Sequence, residues 1–115
     1  MSDTQKAIEY AHNNREKFIK ELTEFIKIES ISTDDAHKKK VEEAAEWAAN
    51  HLRSIGVENV KLMPTGGHPV VYGDWLKKPG APTVLIYGHY DVQPIDPIEL
   101  WETQPFDATI KGDYM

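Results

Sequence analysis

The apolar positions of the chain follow two rhythms, and the change falls near residue 56. Ile8, Ala11, Phe18, Leu22, Phe25 and Ile26 recur at three- and four-residue steps, which predicts one helix from about residue 4 to 28 with a single apolar stripe. Ser2 or Asp3 is placed to cap its start. Glu29-Ser30-Ile31-Ser32-Thr33 then breaks the pattern, because short hydroxyl side chains compete for backbone hydrogen bonds. A second helix follows, with caps available in Ser32-Thr33-Asp34-Asp35 and an acidic pair suited to the positive end of the helix dipole. Val41, Ala44, Ala45, Ala48, Leu52 and Ile55 form its apolar face. Gly56 ends it, since glycine takes the left-handed cap conformation without strain, and Val57 is placed to close over the last turn.

From residue 57 the period becomes two, or the apolar residues run together. Val57 to Met63 reads as a strand, Pro64-Thr65-Gly66-Gly67 as a turn and Pro69 to Trp75 as a second strand, which predicts a hairpin. Lys77-Lys78-Pro79-Gly80 is turn chemistry again. Thr83-Val84-Leu85-Ile86-Tyr87 is wholly apolar apart from its ends, and predicts a short strand buried on both faces of a parallel or mixed sheet. Two N-terminal helices, a hairpin and a buried strand predict an α/β layered fold rather than a bundle.

Composition narrows the function classes. The 115 residues are enough for one small domain. Thirteen Lys and Arg against 19 Asp and Glu give a net charge of -6, which argues against a nucleic-acid partner. The one basic run, Lys38-Lys39-Lys40, is flanked by Asp34, Asp35, Glu42 and Glu43 and reads as a solvated helix start. With no cysteine, disulfides and thiolate metal sites are excluded. No apolar stretch is long enough to span a bilayer and residues 1–10 lack the core of a signal peptide, so a soluble cytoplasmic setting is the default expectation. Lys111-Gly112-Asp113-Tyr114-Met115 resembles a turn entering another strand, and the expectation is that these residues form the front part of something longer.

The candidate chemistry sits directly after the apolar run, in Gly88-His89-Tyr90-Asp91-Val92-Gln93-Pro94. Side chains two apart on an extended backbone share a face, so Asp91 can reach one ring nitrogen of His89 and fix its tautomer. A carboxylate behind the imidazole is the usual support of a metal-bound histidine. The carboxyl end of a buried strand is also where α/β sheets place ligands, and Gly88 allows close backbone approach. His-x-Asp is nevertheless short, and residue chemistry alone leaves a metal ligand and a satisfied surface histidine equally open. His12, His37 and His51 lie on or beside helices, and His68 precedes Pro69 in a turn; each reads as structural. Asp96 and Glu99, between prolines, read as a solvated turn rather than a second carboxylate pair. Trp101 and Phe106 read as loop anchors rather than a substrate shelf.

Val84-Leu85-Ile86-Tyr87-Gly88-His89-Tyr90-Asp91-Val92-Gln93-Pro94, followed by Trp101, Pro105-Phe106 and Ile110-Lys111-Gly112, resembles the zinc-dependent dipeptidases and deacylases related to carnosinase, acetylornithine deacetylase and succinyl-diaminopimelate desuccinylase. Gly-His-x-Asp-Val-Gln-Pro is more similar to the carnosinase-like dipeptidases, and Phe25-Ile26-Lys27-Ile28-Glu29-Ser30-Ile31-Ser32 is similar to a helix-to-loop segment of the same family. The resemblance implies that residues 1–115 are the N-terminal part of one catalytic domain with a mixed sheet. It implies a metal ligand at His89 and, at Asp91, the nearby carboxylate counted catalytic. It further implies two zinc ions about 3.5–4 Å apart sharing a water that attacks the amide carbonyl. Dipeptides or acyl-amino acids are the implied substrates, with a homodimer formed through a second domain.

The chain departs from that pattern in one respect: of the expected metal ligands it contains only His89, and one imidazole cannot hold zinc tightly. Three readings follow. The chain is part of a metallo-dipeptidase and inactive by itself, or a stand-alone non-catalytic α/β module, or part of an N-acyl amino acid deacylase. Marginal stability in isolation is expected of a sheet cut in mid-order.

Overall fold

The computed structural model describes all residues from Met1 to Met115. They form three α-helices followed by an antiparallel hairpin: α1 (Asp3–Asn13), α2 (Arg15–Ile26), α3 (Lys38–Ser54), β1 (Glu58–Met63) and β2 (Val70–Asp74). Short 3-10 turns occur at Asp35–His37 and Ile98–Leu100. This is an α/β arrangement in the predicted order. No helix is long and apolar enough to cross a membrane. The chain divides into two compact units, one of residues 1–27 with 99–115 and one of residues 28–98.

In the first unit the single predicted helix is two helices. The chain leaves helical geometry at Asn14 (φ -108°, ψ 14°), whose side-chain amide donates to the Tyr10 carbonyl at 2.8 Å. An asparagine satisfying a carbonyl from its own side chain competes with the helical ladder, and the sequence stripe carries no sign of it. Ser2 is the N-cap, and Ser2 with Gln5 completes a reciprocal capping box. Across the break the Tyr10 and Phe18 rings lie 6.1 Å apart. Lys111 pairs with Glu102 at 2.9 Å, and Lys111 and Tyr114 form an isolated antiparallel bridge.

In the second unit α3 packs across the hairpin. Its buried face is Val41, Ala44, Ala45 and Ala49, so the contact shifts by one residue from the predicted Ala48. Ile55, also expected on that face, is exposed. Small side chains at three of these four positions let the helix lie close to the sheet. The acidic residues before the helix serve the 3-10 turn instead: Asp34 accepts from the Ala36 backbone N–H at 2.9 Å, and α3 itself opens on the lysine run with no side-chain cap. Lys40 is held by Glu43 at 2.9 Å, as expected of a solvated face.

The far end of α3 follows the sequence reading closely. The Val57 N–H donates to the Leu52 carbonyl and the Gly56 N–H to the Arg53 carbonyl, both at 3.1 Å, with Gly56 at φ +90°. These are the two hydrogen bonds of a Schellman termination. Replacing Gly56 with alanine forces a side chain into left-handed geometry and is expected to destabilise the chain by roughly 1–2 kcal/mol. Urea unfolding of the two forms, compared at equal slope, measures it. The hairpin pairs Met63 with Val70, Leu62 with Val71 and Lys61 with Tyr72, and its register is interrupted between Glu58 and Lys61, where Asn59 has φ +52°.

The predicted buried strand is the main correction. Residues 83–87 form no strand, and Leu85 and Ile86 are 92 % and 89 % exposed. An apolar run specifies a buried strand only where flanking strands cover it, and the sole sheet here is the two-stranded β1–β2 hairpin. The run is therefore extended and uncovered. Gly88 is equally open, since a Cβ there would meet nothing within 4 Å.

Candidate functional site

Five residues after this uncovered run, Val92 forms a parallel bridge to Ile31. The Val92 N–H donates to the Ser30 carbonyl at 3.0 Å, and the Ser30 hydroxyl donates to the Tyr90 carbonyl at 3.0 Å. Ser30 is only 3 % exposed, and Ile28 and Ile31 are buried beside it. The hydroxyl-rich segment that ended the helical pattern thus becomes the bed on which residues 90–92 lie. Tyr90 adds a second tie, donating its hydroxyl to the Pro69 carbonyl. Burial, together with the neighbouring Asp91 charge, holds the Tyr90 phenol above its ordinary pKa.

On this bed His89 and Asp91 face each other. The His89 Nδ1 lies 3.0 Å from Asp91 Oδ1 and 3.0 Å from the Asp91 backbone carbonyl. Both partners are oxygen acceptors, so Nδ1 carries a proton, which in the neutral ring leaves the lone pair on Nε2. The His89 side chain is 75 % exposed and that of Asp91 40 % exposed, so the pair sits at the surface with Nε2 available as a donor atom.

Asp91 is bonded through both carboxylate oxygens. The Ser32 hydroxyl donates to Oδ2 at 2.6 Å while Oδ1 serves His89. The Ser32 hydrogen bond first, then that of His89 and the residue's own backbone N–H, hold the Asp91 carboxyl below its ordinary pKa, against a smaller opposing effect of burial. A carboxylate with a lowered native pKa stabilises the fold fully above its ordinary value of 3.8. That contribution is lost as pH falls through the lower native value, so the pair is intact at neutral pH.

The other histidines are engaged locally. His37 lies between Asp34 and Glu29, His51 stacks on Trp47 with ring centroids 5.0 Å apart, and His12 is in the last turn of α1. His68 is better placed than its sequence context suggests, since its Nε2 donates to the Ser32 carbonyl at 2.9 Å. Asp96 and Glu99 are exposed, and the Trp101 ring remains about half exposed while Phe106 is half-buried. Ser30, Ser32 and His68 are the supporting residues that sequence reasoning did not find. The spacing of Ser30 and Ser32 marked a helix end, but nothing local ties them to residues 60 positions away.

The donor set is small for a metal centre. No group of three or more His, Cys, Asp or Glu side chains is close enough to hold an ion, and both Asp91 oxygens already accept hydrogen bonds. A catalytic zinc takes three protein ligands. The residues of this chain therefore fit one ligand of a metal site and not a whole one.

No protein-family model matches the chain. Among curated proteins it is 35% identical to the Cys-Gly metallodipeptidase DUG1 of Candida albicans, over 78% of this chain and 21% of that protein. It is 32% identical to the Beta-Ala-His dipeptidase of Mus musculus, over 91% of this chain and 24% of that protein. The solved structure of the dipeptidase Dug1p from Saccharomyces cerevisiae superposes with a TM-score of 0.85 at 28% identity, covering 95% of this chain and 25% of that one. The chain thus spans between a fifth and a quarter of the length of the Cys-Gly metallodipeptidases it matches in three yeasts. Likeness in sequence and likeness in fold agree, and both are to dipeptidases.

Proposed function

We propose that residues 1–115 are the N-terminal part of the catalytic domain of a cytoplasmic zinc dipeptidase, to which they contribute His89 as a metal ligand and Asp91 as the carboxylate that orients it. The complete protein hydrolyses dipeptides with a free carboxylate end. The observation that carries the proposal is the His89–Asp91 hydrogen bond with Nε2 left open, in a chain similar to metallodipeptidases. A two-zinc centre supplies activated water and stabilisation of developing negative charge. The part of this chain is to present one imidazole in the right tautomer. The remaining ligands and the proton-accepting group belong to other residues of the complete protein, and the 115 residues by themselves are inactive.

The long uncovered run at residues 83–87 supports the same reading. Such exposure of an apolar run is what the reading expects where the covering strands are supplied by other residues of the complete protein. Co-expression with a polypeptide supplying those residues is expected to give a complex that cleaves Cys-Gly or β-Ala-His. A chelator abolishes the activity and zinc restores it. A stable complex that cleaves neither dipeptide but deacylates N-acyl amino acids would transfer the chain to the deacylase reading. Failure to associate with any such polypeptide would favour a stand-alone module.

A further inference from the structure

We infer that Ser32 is the positioning residue of the His89–Asp91 pair: its hydroxyl anchors one carboxylate oxygen so that the other holds the imidazole with Nε2 outward. An aspartate carboxylate turns over a broad torsional well, and burial fixes neither partner, since the His89 side chain is largely in solvent and that of Asp91 only partly covered. What holds the carboxylate of the pair, beside the contact of His89 Nδ1 with the Asp91 backbone carbonyl, is the 2.6 Å hydrogen bond from Ser32 Oγ to Asp91 Oδ2, in the short range of charge-assisted O–H···O contacts. With Oδ2 tied, Oδ1 is set at 3.0 Å from His89 Nδ1.

Ser32 is itself held in place. His68 Nε2 donates to its carbonyl, and the preceding Ser30 is bonded both to the Tyr90 carbonyl and to the Val92 N–H. Tyr90 in turn reaches the carbonyl of Pro69, the neighbour of His68. Residues 30–32, 68–69 and 90–92 are thereby closed into one ring of hydrogen bonds, with the Ser32 hydroxyl as its only side-chain donor to Asp91. Its functional meaning rests on His89 being a metal ligand, but the geometry is testable with no metal present.

The test is the tautomer of His89, read from imidazole nitrogen resonances of the metal-free 115-residue chain at neutral pH. The wild type is expected to hold the proton on Nδ1. Ser32→Ala is expected to lower the ratio of Nδ1–H to Nε2–H several-fold, and Ser32→Thr, which keeps the hydroxyl, to restore it. Where alanine costs the native amide spectrum, Ser32→Cys replaces it: its thiol is nearly isosteric and a weak donor, and the same fall is expected. A wild-type ring protonated on Nε2, or a ratio unchanged in a folded Ala or Cys variant, overturns the inference. Loss of zinc binding by the complete protein on changing His89 is a separate result, so failure of the ligand reading is distinguishable from failure of this one.

Discussion

His89→Ala is expected to abolish dipeptide hydrolysis by the completed protein, lowering kcat/KM by roughly a thousandfold or more. The magnitude follows from the several kcal/mol of charge stabilisation that a metal centre supplies, at about 1.4 kcal/mol per tenfold in rate. The ring is 75 % exposed and packs little, so the loss falls on activity and leaves thermal unfolding nearly unchanged. Asp91→Asn is expected to be milder, about ten- to a hundredfold, the usual effect of removing the partner behind a metal-bound histidine. The asparagine amide can turn its oxygen toward Nδ1, but it then loses the charge that holds both His89 and Ser32. Steady-state kinetics on Cys-Gly, with thermal melts of each variant, check the pair. A His89→Ala protein with wild-type turnover would remove the residue from the site.

Opposite effects in two contexts are expected from a charge placed in the exposed run. Ile86→Lys in the isolated chain alters a side chain that is 89 % exposed, so stability should stay within about 0.5 kcal/mol. Self-association at high concentration should fall, because a lysine blunts an uncovered apolar segment with unpaired backbone groups. The proposed function has strands of the remaining length cover the run in the completed protein, where the same lysine would be buried without a partner. That costs several kcal/mol and should prevent assembly and activity. Analytical ultracentrifugation of the chain, and complementation with the remaining length, read the two effects. Unimpaired assembly of Ile86→Lys would show that the run stays exposed in the complete protein.

What could be read from the sequence follows the range of each interaction. The Schellman end at Gly56 and the hairpin of β1 and β2 depend on neighbours within a few residues, and pattern alone located them. Asp91 reaching His89 is likewise a two-residue matter of backbone geometry. The break at Asn14 was hidden because the apolar stripe continues past it, while one amide side chain decides the backbone. The burial of residues 83–87 was expected from their character, yet burial belongs to whatever covers a strand, and nothing in these residues does so. Ser32 escaped notice for a similar reason: a serine at a helix end is common, and its partner is 59 residues away.

Zinc content of the completed protein, measured by elemental analysis for the wild type and for His89→Ala after exhaustive dialysis, bears most directly on whether this chain supplies a metal ligand. Bound zinc in the wild type, and its loss in a variant that still folds and assembles, is the predicted result. Equal zinc in both would contradict it.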